Sequence, residues 1–228
     1  MKKILVIAPH PDDEILGCGG LLSLLKKKKK YWLIITKMDE KYGYTNLQIK
    51  KREKEIKKIS SYLNFTKVFN LGFTTKNLNK DQLSLLIDKM SNVIKLIRPD
   101  TIFAPYLHDS HSDHFYTTYA LNHILKSFRY PFINKCYLYE TLSETNLNFL
   151  KKKRFVPNAY FNITPFINKK VQLMKIYKSE IKKHPFPRSI QAIKSLAIIR
   201  GSESGYEYAE AYKIILEKNN FVKKIKIY

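Results

Sequence analysis

The start of the chain restricts the fold more than any other segment, because an apolar run over residues 4–8 ends in a proline and a polar loop follows at once. The loop contains His10, Asp12, Asp13 and Glu14. A short run of Ile, Leu and Val bounded by charge and proline is typical of a strand buried on both faces of a parallel sheet. Helical periodicity begins directly afterwards, so the sequence predicts a strand, an acidic loop and a helix in that order.

The alternation of apolar runs and amphipathic helices continues to about residue 125. We predict strands over residues 2–8, 31–36, 67–71 and 101–104, and helices over residues 12–25, 47–63 and 81–97. Five consecutive lysines, residues 26–30, are expected to close the first helix, where cations complement the helix dipole. This alternation favours an α/β fold with an open, mainly parallel sheet and helices on both faces.

The part of the chain after residue 135 is less regular. We predict strands over residues 136–139 and 159–163, and helices around residues 167–181 and 190–199. No internal repeat, Gly/Ser linker or low-complexity tract other than the lysine clusters divides the 228 residues. We therefore predict one domain over residues 1–228, with a motif-bearing core over 1–125 and a C-terminal elaboration over 135–228.

The chain is strongly basic, since 42 Lys and Arg residues against 19 Asp and Glu residues leave a formal net charge of +23. Six of the cations are Arg, whereas phosphate and base readout favours the forked guanidinium. The excess of Lys fits either a compositional bias with a solvated surface or a field that steers an anionic substrate. No nucleic-acid-binding motif is recognisable, and we expect no nucleic-acid partner.

The two cysteines, Cys18 and Cys136, are far apart and form no CxxC pair. Neither a disulfide framework nor a cysteine zinc site is predicted, and a reducing compartment fits. The apolar run at the start is too short for a signal peptide and is followed by acidic residues. No stretch approaches the roughly 18 apolar residues of a transmembrane segment. These features predict a cytoplasmic chain without a transmembrane segment.

A second polar loop follows the strand predicted over residues 101–104. It contains Asp109, His111, Asp113 and His114. Ligands of open α/β sheets bind beyond the carboxyl ends of the strands, and both polar loops occupy that position. Taken alone, the first loop is explained as an acidic helix N-terminus and the second as a helix-capping turn. Their joint occurrence after two apolar strands favours a catalytic site.

Three residues of the two loops form a candidate metal site. Neutral imidazole is the commonest metal ligand, and carboxylate oxygen is compatible with it. A catalytic zinc ion takes three protein ligands and keeps one open position for water, and His10, Asp13 and His114 supply that number. Zinc (Zn2+) is the expected cofactor, with iron, cobalt and manganese as alternatives that suit a mixed site.

The remaining polar residues of the loops complete a set for hydrolysis. Asp12 is the candidate base that takes a proton from water. His111 is the candidate that protonates the leaving amine or stabilises the oxyanion. Asp113 is expected to orient the His111 ring and to favour its charged form.

Three segments resemble the PIG-L/LmbE family of zinc-dependent N-deacetylases: APHPDDE at residues 8–14, REKE beginning at Arg52, and HSDH at residues 111–114. The resemblance covers about residues 1–125. It implies a Rossmann-like three-layer αβα sandwich that binds no dinucleotide, and removal of the acetyl group from N-acetylglucosamine-type sugars. It also implies roles for six residues: zinc binding by His10, Asp13 and His114, base catalysis by Asp12, assistance by His111, and substrate binding by Arg52.

The resemblance continues weakly at residues 208–212 (YAEAY), which look like the closing helix of the family. It also implies that the C-terminal elaboration shapes the substrate pocket, without naming the acceptor. Without the resemblance, Arg52 is explained as a solvated helix residue that pairs with Glu55. Gly17, Gly19 and Gly20 form no GxGxxG motif, so we predict that they allow close packing of a helix on the sheet.

The residues therefore predict a metal-dependent hydrolase that deacetylates a small N-acetylated sugar. Because the chain is basic, an alternative is that the same site acts on a nucleotide-linked, anionic sugar, or on a different amide in surface-polysaccharide or natural-product synthesis. A basic nucleic-acid-binding protein is a distant alternative. No feature of the sequence indicates an oligomeric state.

Overall fold

The described part of the chain forms a seven-stranded sheet with strand order β3-β2-β1-β4-β5-β7-β6. The structure, a computed structural model, describes residues 1–149 and 154–218. The strands are β1 (Lys3–Ala8), β2 (Lys29–Lys37), β3 (Lys67–Thr74), β4 (Thr101–Pro105), β5 (Lys135–Tyr139), β6 (Ala159–Asn162) and β7 (Ala209–Glu217). The helices are α1 (Asp13–Leu24), α2 (Asn46–Leu63), α3 (Leu83–Ile97), α4 (Ser112–Ile124), α5 (Ile167–Met174) and α6 (Ile190–Ser204). Within these residues, no helix has the length and apolar content that crossing a membrane requires.

The sheet is parallel over its first five strands. Each of the pairs β1–β2, β1–β4, β2–β3 and β4–β5 is parallel, whereas β7 is antiparallel to both β5 and β6. The predicted mainly parallel sheet is therefore confirmed. Since β2 and β3 lie on one side of β1 and β4 and β5 lie on the other, the strand order reverses between β1 and β4. Ligand crevices of open α/β sheets lie at such a reversal.

The side chains of β1 alternate between two cores, because successive residues of a strand point to opposite faces. Ile4 and Val6 pack with apolar residues of α1, α2 and α5. Leu5 and Ile7 pack with apolar residues of α3 and α4. Helices therefore cover both faces of the sheet, and the predicted three-layer αβα sandwich is confirmed.

Helix α1 packs closely against neighbouring residues because it has glycines, which lack a Cβ atom, at the points of contact. A Cβ atom on Gly17 would lie 2.2 Å from Cδ2 of Tyr139, and a Cβ atom on Gly20 would lie 2.7 Å from Cγ2 of Ile163. The predicted packing of the helix on the sheet is confirmed for Gly17, because Tyr139 belongs to β5. Gly20 instead faces a residue that follows β6, and a Cβ atom on Gly19 would meet Ile15 of the same helix and Lys170 of α5.

The closing helix expected at residues 208–212 is wrong, because Ala209 begins strand β7. Ala209, Ala211 and Tyr212 are buried there. The strand pairs with β5 on one side and β6 on the other. Sheet pairing on two sides outweighs the intrinsic helix propensity of Ala and Glu.

Two predicted helix boundaries also differ from the structure. Helix α1 ends at Leu24, before the lysine run, and β2 begins at Lys29. One lysine still bonds the helix end, since the buried Lys30 ammonium donates to the Leu25 carbonyl at 2.8 Å. The helix expected around residues 167–181 ends at Met174 and is followed by turns.

Candidate active site

Two loops place the candidate residues where the strand order reverses. The loop after β1 leads into α1, and the loop after β4 leads into α4. Asp12 and His111 are the residues that immediately precede these helices. His10 and Asp113, 103 positions apart in the sequence, are in hydrogen-bond contact at 2.9 Å. The structure therefore brings the two predicted motifs together.

His10, Asp13 and His114 are arranged around a point that suits a metal ion. Nδ1 of His10 lies 3.5 Å from Oδ2 of Asp13, and Nε2 of His114 lies 3.3 Å from the same oxygen. Ligand atoms about 2.1 Å from a tetrahedral zinc ion lie roughly 3.4 Å from one another. One ligand atom from each residue lies within 4.8 Å of the other two. The donor set and its spacing therefore fit a divalent metal ion.

Each of the two histidines has a carboxylate behind it. Nδ1 of His114 is 2.8 Å from Oδ2 of Asp109, and Nε2 of His10 is 2.9 Å from Oδ2 of Asp113. Asp109 in turn accepts a hydrogen bond from the Thr145 hydroxyl at 2.6 Å. A carboxylate that accepts the proton of one ring nitrogen leaves the other nitrogen free as a ligand. In both rings the free nitrogen is the one that faces Asp13.

The expectation that Asp113 orients the His111 ring is wrong. The carboxylate of Asp113 is 3.9 Å from Nδ1 of His111, too far for a hydrogen bond. Its oxygens bond His10 and the backbone N–H groups of Lys76 and Leu78, at 2.7 and 3.2 Å. The carboxylate therefore orients a metal-site histidine and ties the loop after β3 to this site.

A second group with metal-compatible atoms consists of His10, His111 and Asp113. It suits a metal less well, because Nδ1 of His111 already accepts the backbone N–H of Asp113 at 3.1 Å. The nearest Asp113 oxygen already accepts the Lys76 N–H. The lone pairs that a metal would need are occupied.

His111 presents a donor rather than an acceptor to the pocket. Because Nδ1 accepts a hydrogen bond from the backbone, the neutral ring carries its proton on Nε2. Burial, and then the neighbouring His10, lower the pKa of His111. The ring is therefore neutral near pH 7 and can donate one hydrogen bond.

The electrostatics of the metal triad favour an ionised carboxylate. Burial by itself raises the pKa of Asp13, but the adjacent His114 and His10 hold that pKa well below its usual range. Burial by itself lowers the pKa of His10, but hydrogen bonds to Asp113 and Asp13 raise it to about 9. The pocket floor thus favours an ionised Asp13 beside a protonated His10, and a metal ion bound there would take the place of the His10 proton.

Asp12 lies beside the triad in a strained backbone conformation. Its φ is 140°, a region that side chains rarely adopt and that tends to occur at functional sites. Its N–H donates to the buried carboxylate of Glu14 at 3.0 Å, and the Tyr177 hydroxyl donates to that carboxylate at 2.7 Å. Burial, and then the charge of Asp13, raise the pKa of Asp12 to about 7. A carboxyl group with such a pKa is suited to exchange a proton at neutral pH.

Arg52 is held by protein groups on several sides. It donates to the Pro11 carbonyl at 2.6 Å and to the Ser179 hydroxyl at 3.1 Å, and it pairs with Glu180. Its Nε lies 3.0 Å from Oε2 of Glu55. The pairing with Glu55 is present, but the interpretation of Arg52 as a solvated residue is wrong, because the residue is only 7% exposed.

A pocket of about 420 Å³ opens above the triad. This volume lies in the range of small-molecule sites, roughly 300–1,000 Å³. Of the predicted residues, Asp113 alone is absent from the lining, which includes His10, Asp12, Asp13, Arg52, His111 and His114. The part of the chain after residue 135 supplies five further lining residues: Thr141, Ser143, Glu144, Glu180 and Arg188.

The expectation that the C-terminal elaboration shapes the pocket agrees with this lining, but sequence reasoning identified none of the five residues individually. Glu180 and Thr145 belong to no motif, so no local signal could have found them. Arg188 ends a segment rich in proline, HPFPR, which indicates a loop but not its position. Glu14 belongs to the first motif, but the sequence does not indicate that its carboxylate is buried and accepts the Asp12 N–H.

The PIG-L family model, described as GlcNAc-PI de-N-acetylase, matches residues 5–125. A curated relative, diacetylchitobiose deacetylase of Thermococcus kodakarensis, is 21% identical over 94% of this chain and 84% of its own length. A second, the probable N-acetyl-alpha-D-glucosaminyl L-malate deacetylase 2 of Bacillus cereus, is 27% identical over 50% of this chain and 56% of its own length.

Among solved structures, the conserved protein TT1542 of Thermus thermophilus is similar with a TM-score of 0.76. It is 24% identical, and the match covers 98% of this chain and 100% of that chain. At this identity the likeness shows the fold alone. The matched range 5–125 contains both histidine motifs and Arg52 but ends before the C-terminal residues of the pocket.

Proposed function

This chain belongs to the PIG-L (GlcNAc-PI de-N-acetylase) family, and we propose from this premise that it is a metal-dependent hydrolase that removes the acetyl group from an N-acetylglucosamine-type sugar. The single observation that carries the proposal is the spacing of His10, Asp13 and His114 at the floor of a pocket. The curated relatives support it, since the names of both describe deacetylases of N-acetylated sugars.

His10, Asp13 and His114 are proposed to hold the metal ion, and zinc is the ion that this donor set favours. A divalent ion bound there supplies a Lewis acid that lowers the pKa of water and polarises a carbonyl group. Asp109 and Asp113 are positioning residues, because each orients one of the ligand rings.

Asp12 is proposed to take the proton of the attacking water and to return it to the amine nitrogen as the C–N bond breaks. Its carboxyl group lines the pocket next to Asp13, and its raised pKa makes it a stronger base than an exposed aspartate. His111 is proposed to donate its Nε2 proton in a hydrogen bond to the oxygen of the acetamide as negative charge develops there. Arg52 is proposed to contact the substrate, while its Nη1 holds the Pro11 carbonyl next to Asp12.

The two parts of the chain are proposed to form one domain over residues 1–228. In support, β6 and β7 extend the same sheet that carries the motifs. Residues of the C-terminal elaboration also line the pocket. A reducing, cytoplasmic location is proposed because Cys18 and Cys136 are both buried and unpaired.

The test combines metal analysis of the purified chain with acetate release from N-acetylglucosamine glycosides, with and without a chelator. We expect about one zinc ion per chain, and activity that a chelator abolishes and added zinc restores. Asp12→Asn should keep the metal and lower kcat by about 10²–10⁴-fold, the usual contribution of a general base. Asp88→Asn, an exposed change on α3, is the matched control.

Two results would contradict these assignments separately. Full activity of Asp12→Asn would remove Asp12 as the base while leaving the metal site intact. Failure of the wild-type chain to bind any divalent metal after reconstitution would remove the triad of His10, Asp13 and His114, and with it the proposed reaction.

A further inference from the structure

A continuous series of hydrogen bonds joins the two catalytic loops across the C-terminal side of the pocket. We call its six side chains the rim: Ser110, Glu144, Ser143, Arg188, Glu180 and Arg52. The series begins beside His111 and ends at the Pro11 carbonyl, beside Asp12. All of its members except Ser110 line the pocket.

The first half of the rim connects the loop after β4 to the segment after β5. The Ser110 hydroxyl donates to Oε2 of Glu144 at 2.8 Å, and the Ser143 hydroxyl donates to Oε1 of the same residue at 3.1 Å. Nη1 of Arg188 then donates to the Ser143 hydroxyl at 2.7 Å. The Ser143 hydroxyl therefore links the Glu144 carboxylate to the Arg188 guanidinium group through two hydrogen bonds.

The second half returns to the loop after β1. Nη2 of Arg188 donates to Oε2 of Glu180 at 3.1 Å, and Arg52 pairs with the other oxygen of this carboxylate. Arg52 then bonds the Pro11 carbonyl at 2.6 Å. Along the rim, the charged residues therefore alternate in sign, and two carboxylates balance two guanidinium groups.

The charge balance extends to the whole pocket. Among the described lining residues, four are basic: Lys37, Arg52, Lys76 and Arg188. Five are acidic: Asp12, Asp13, Glu53, Glu144 and Glu180. The net charge of +23 is therefore not concentrated at the site. A bound divalent ion would bring the formal balance of the lining to within about one unit of neutrality.

We infer that the part of the substrate beyond the N-acetylated sugar is an uncharged, hydroxyl-rich group, such as a second sugar ring, and not a phosphate or carboxylate. The inference rests on the proposed function and names its substrate class. A sugar hydroxyl can donate a hydrogen bond to a rim carboxylate, whereas a phosphate or carboxylate anion can only accept one. An anion at the same place would face Glu144 and Glu180, while the guanidinium groups are already paired with protein oxygens.

The curated relatives do not decide this point. The name of one describes an uncharged disaccharide, diacetylchitobiose, and the name of the other a sugar linked to L-malate, a carboxylic acid. The net charge of +23 fits either a solvated, lysine-rich surface or a field that steers an anionic substrate. The rim therefore supplies the expectation that the composition leaves open.

The test compares three substrates that share the N-acetylglucosamine ring: the methyl glycoside, N,N'-diacetylchitobiose and the 1-phosphate. We expect kcat/KM for the disaccharide to exceed that for the 1-phosphate by about tenfold or more, as repulsion between like charges at short range predicts. Raising the salt concentration from about 0.05 to about 0.5 M should change kcat/KM for the disaccharide less than about twofold, because salt screens only charged partners.

A variant isolates the contribution of the rim. Glu144→Gln removes one negative charge while it keeps the shape of the side chain, so it should raise the ratio of 1-phosphate to disaccharide activity about threefold or more. Glu217→Gln makes the same change in net charge on β7, where Glu217 pairs with Lys135 outside the pocket, and should leave the ratio unchanged.

Three results overturn the inference in distinguishable ways. A preference for the 1-phosphate that salt suppresses would show that the pocket selects an anion. Equal effects of Glu144→Gln and Glu217→Gln would show that the rim does not set the preference. Metal-loaded wild-type chain that releases no acetate from any of the three substrates would remove the proposed function itself.

Discussion

Two regions of the chain line one pocket, and their side chains are held in place differently. One region consists of the loops after β1 and β4, and the other consists of the segments after β5. In the loops, each polar side chain is placed by a buried strand that ends and a helix that begins within a few residues. In the C-terminal part, the side chains are held by hydrogen bonds and ion pairs to residues far away in the sequence, as Arg188 is to Ser143 and Glu180. The positions of the proposed catalytic side chains thus depend on the sheet. The positions of the C-terminal lining residues depend on pairing between side chains.

The comparison predicts that changes in the loops alter metal binding and kcat, while changes in the rim alter KM. Several contacts join the two regions, and one of them lies behind a histidine of the candidate metal site: the Thr145 hydroxyl of the C-terminal part bonds Asp109, which bonds His114. Four predictions follow the comparison from its largest expected effect to its smallest.

The largest effect is expected for His114→Ala. It removes a proposed metal ligand that is 1% exposed and bonds Asp109, so the bound metal should be lost and kcat/KM should fall by at least about a thousandfold. His123→Ala, an exposed histidine of the same helix, is the control. Metal content by mass spectrometry and acetate release measure both. Retention of stoichiometric metal in His114→Ala would contradict the loop as the source of a ligand.

The second prediction concerns Asp113→Asn. Because the Asp113 carboxylate orients His10 and not His111, the variant should lose about 10–100-fold in metal affinity, the usual effect of a partner behind a ligand ring. Competition with a chelating dye measures that affinity, and saturating metal should restore most of kcat. An unchanged metal affinity with a persistently low kcat would instead place Asp113 behind His111.

The third prediction concerns the rim. Arg188→Ala should raise KM for the disaccharide about tenfold, because it removes the cation that holds Ser143 and Glu180 in the rim. It should leave kcat within about twofold, because Arg188 bonds no residue of the metal site. Arg129→Ala, an exposed arginine outside the pocket lining, is the control. A fall in kcat at unchanged KM would remove the distinction between the two regions.

The smallest effect is expected for Thr141→Val. Thr141 lines the pocket, and its buried hydroxyl has no hydrogen-bond partner within the described residues. Removing an unpartnered buried hydroxyl does not destabilise a fold, so the Tm should stay equal or rise, while KM should increase about threefold as a hydroxyl contact to substrate is lost.

Thr117→Val is the matched control for that change. Thr117 also has a buried hydroxyl without a partner in the described part of the chain, but it is not in the pocket lining. Its Tm should respond in the same way and its KM should not change. Identical KM values in the two variants would show that Thr141 does not contact the substrate.

Much of the fold could be predicted because its signals are local. The apolar run of β1 and the periodicity of α2 and α3 indicate their structures within six to eighteen residues, which is the length of one element. Strand β7 was missed because the Ala-Glu-Ala sequence favours a helix locally, and pairing with β5 and β6 decides otherwise.

In the candidate site, too, some features could be predicted from the sequence and others could not. His10, Asp12 and Asp13 stand together in one motif, so their types and positions could be predicted before the structure. The residue that orients His10 could not be predicted. Asp113 could in principle bond either His10 or His111, and only the packed structure shows that it bonds His10. Arg52 was visible as a residue, but its burial and its pairing with Glu180 depend on a contact across 128 positions of the sequence.

The sequence by itself determined the order of the strands and helices from β1 to β4 and the residues able to bind a metal, because hydrophobic periodicity and side-chain chemistry act over short distances along the chain. The tertiary structure decided which carboxylate supports which histidine, and it decided that the lining of the pocket is balanced in charge although the chain carries a net charge of +23. The physical reason is that hydrogen bonds and ion pairs act through space over a few ångströms, so their partners are set only when the sheet brings distant segments together.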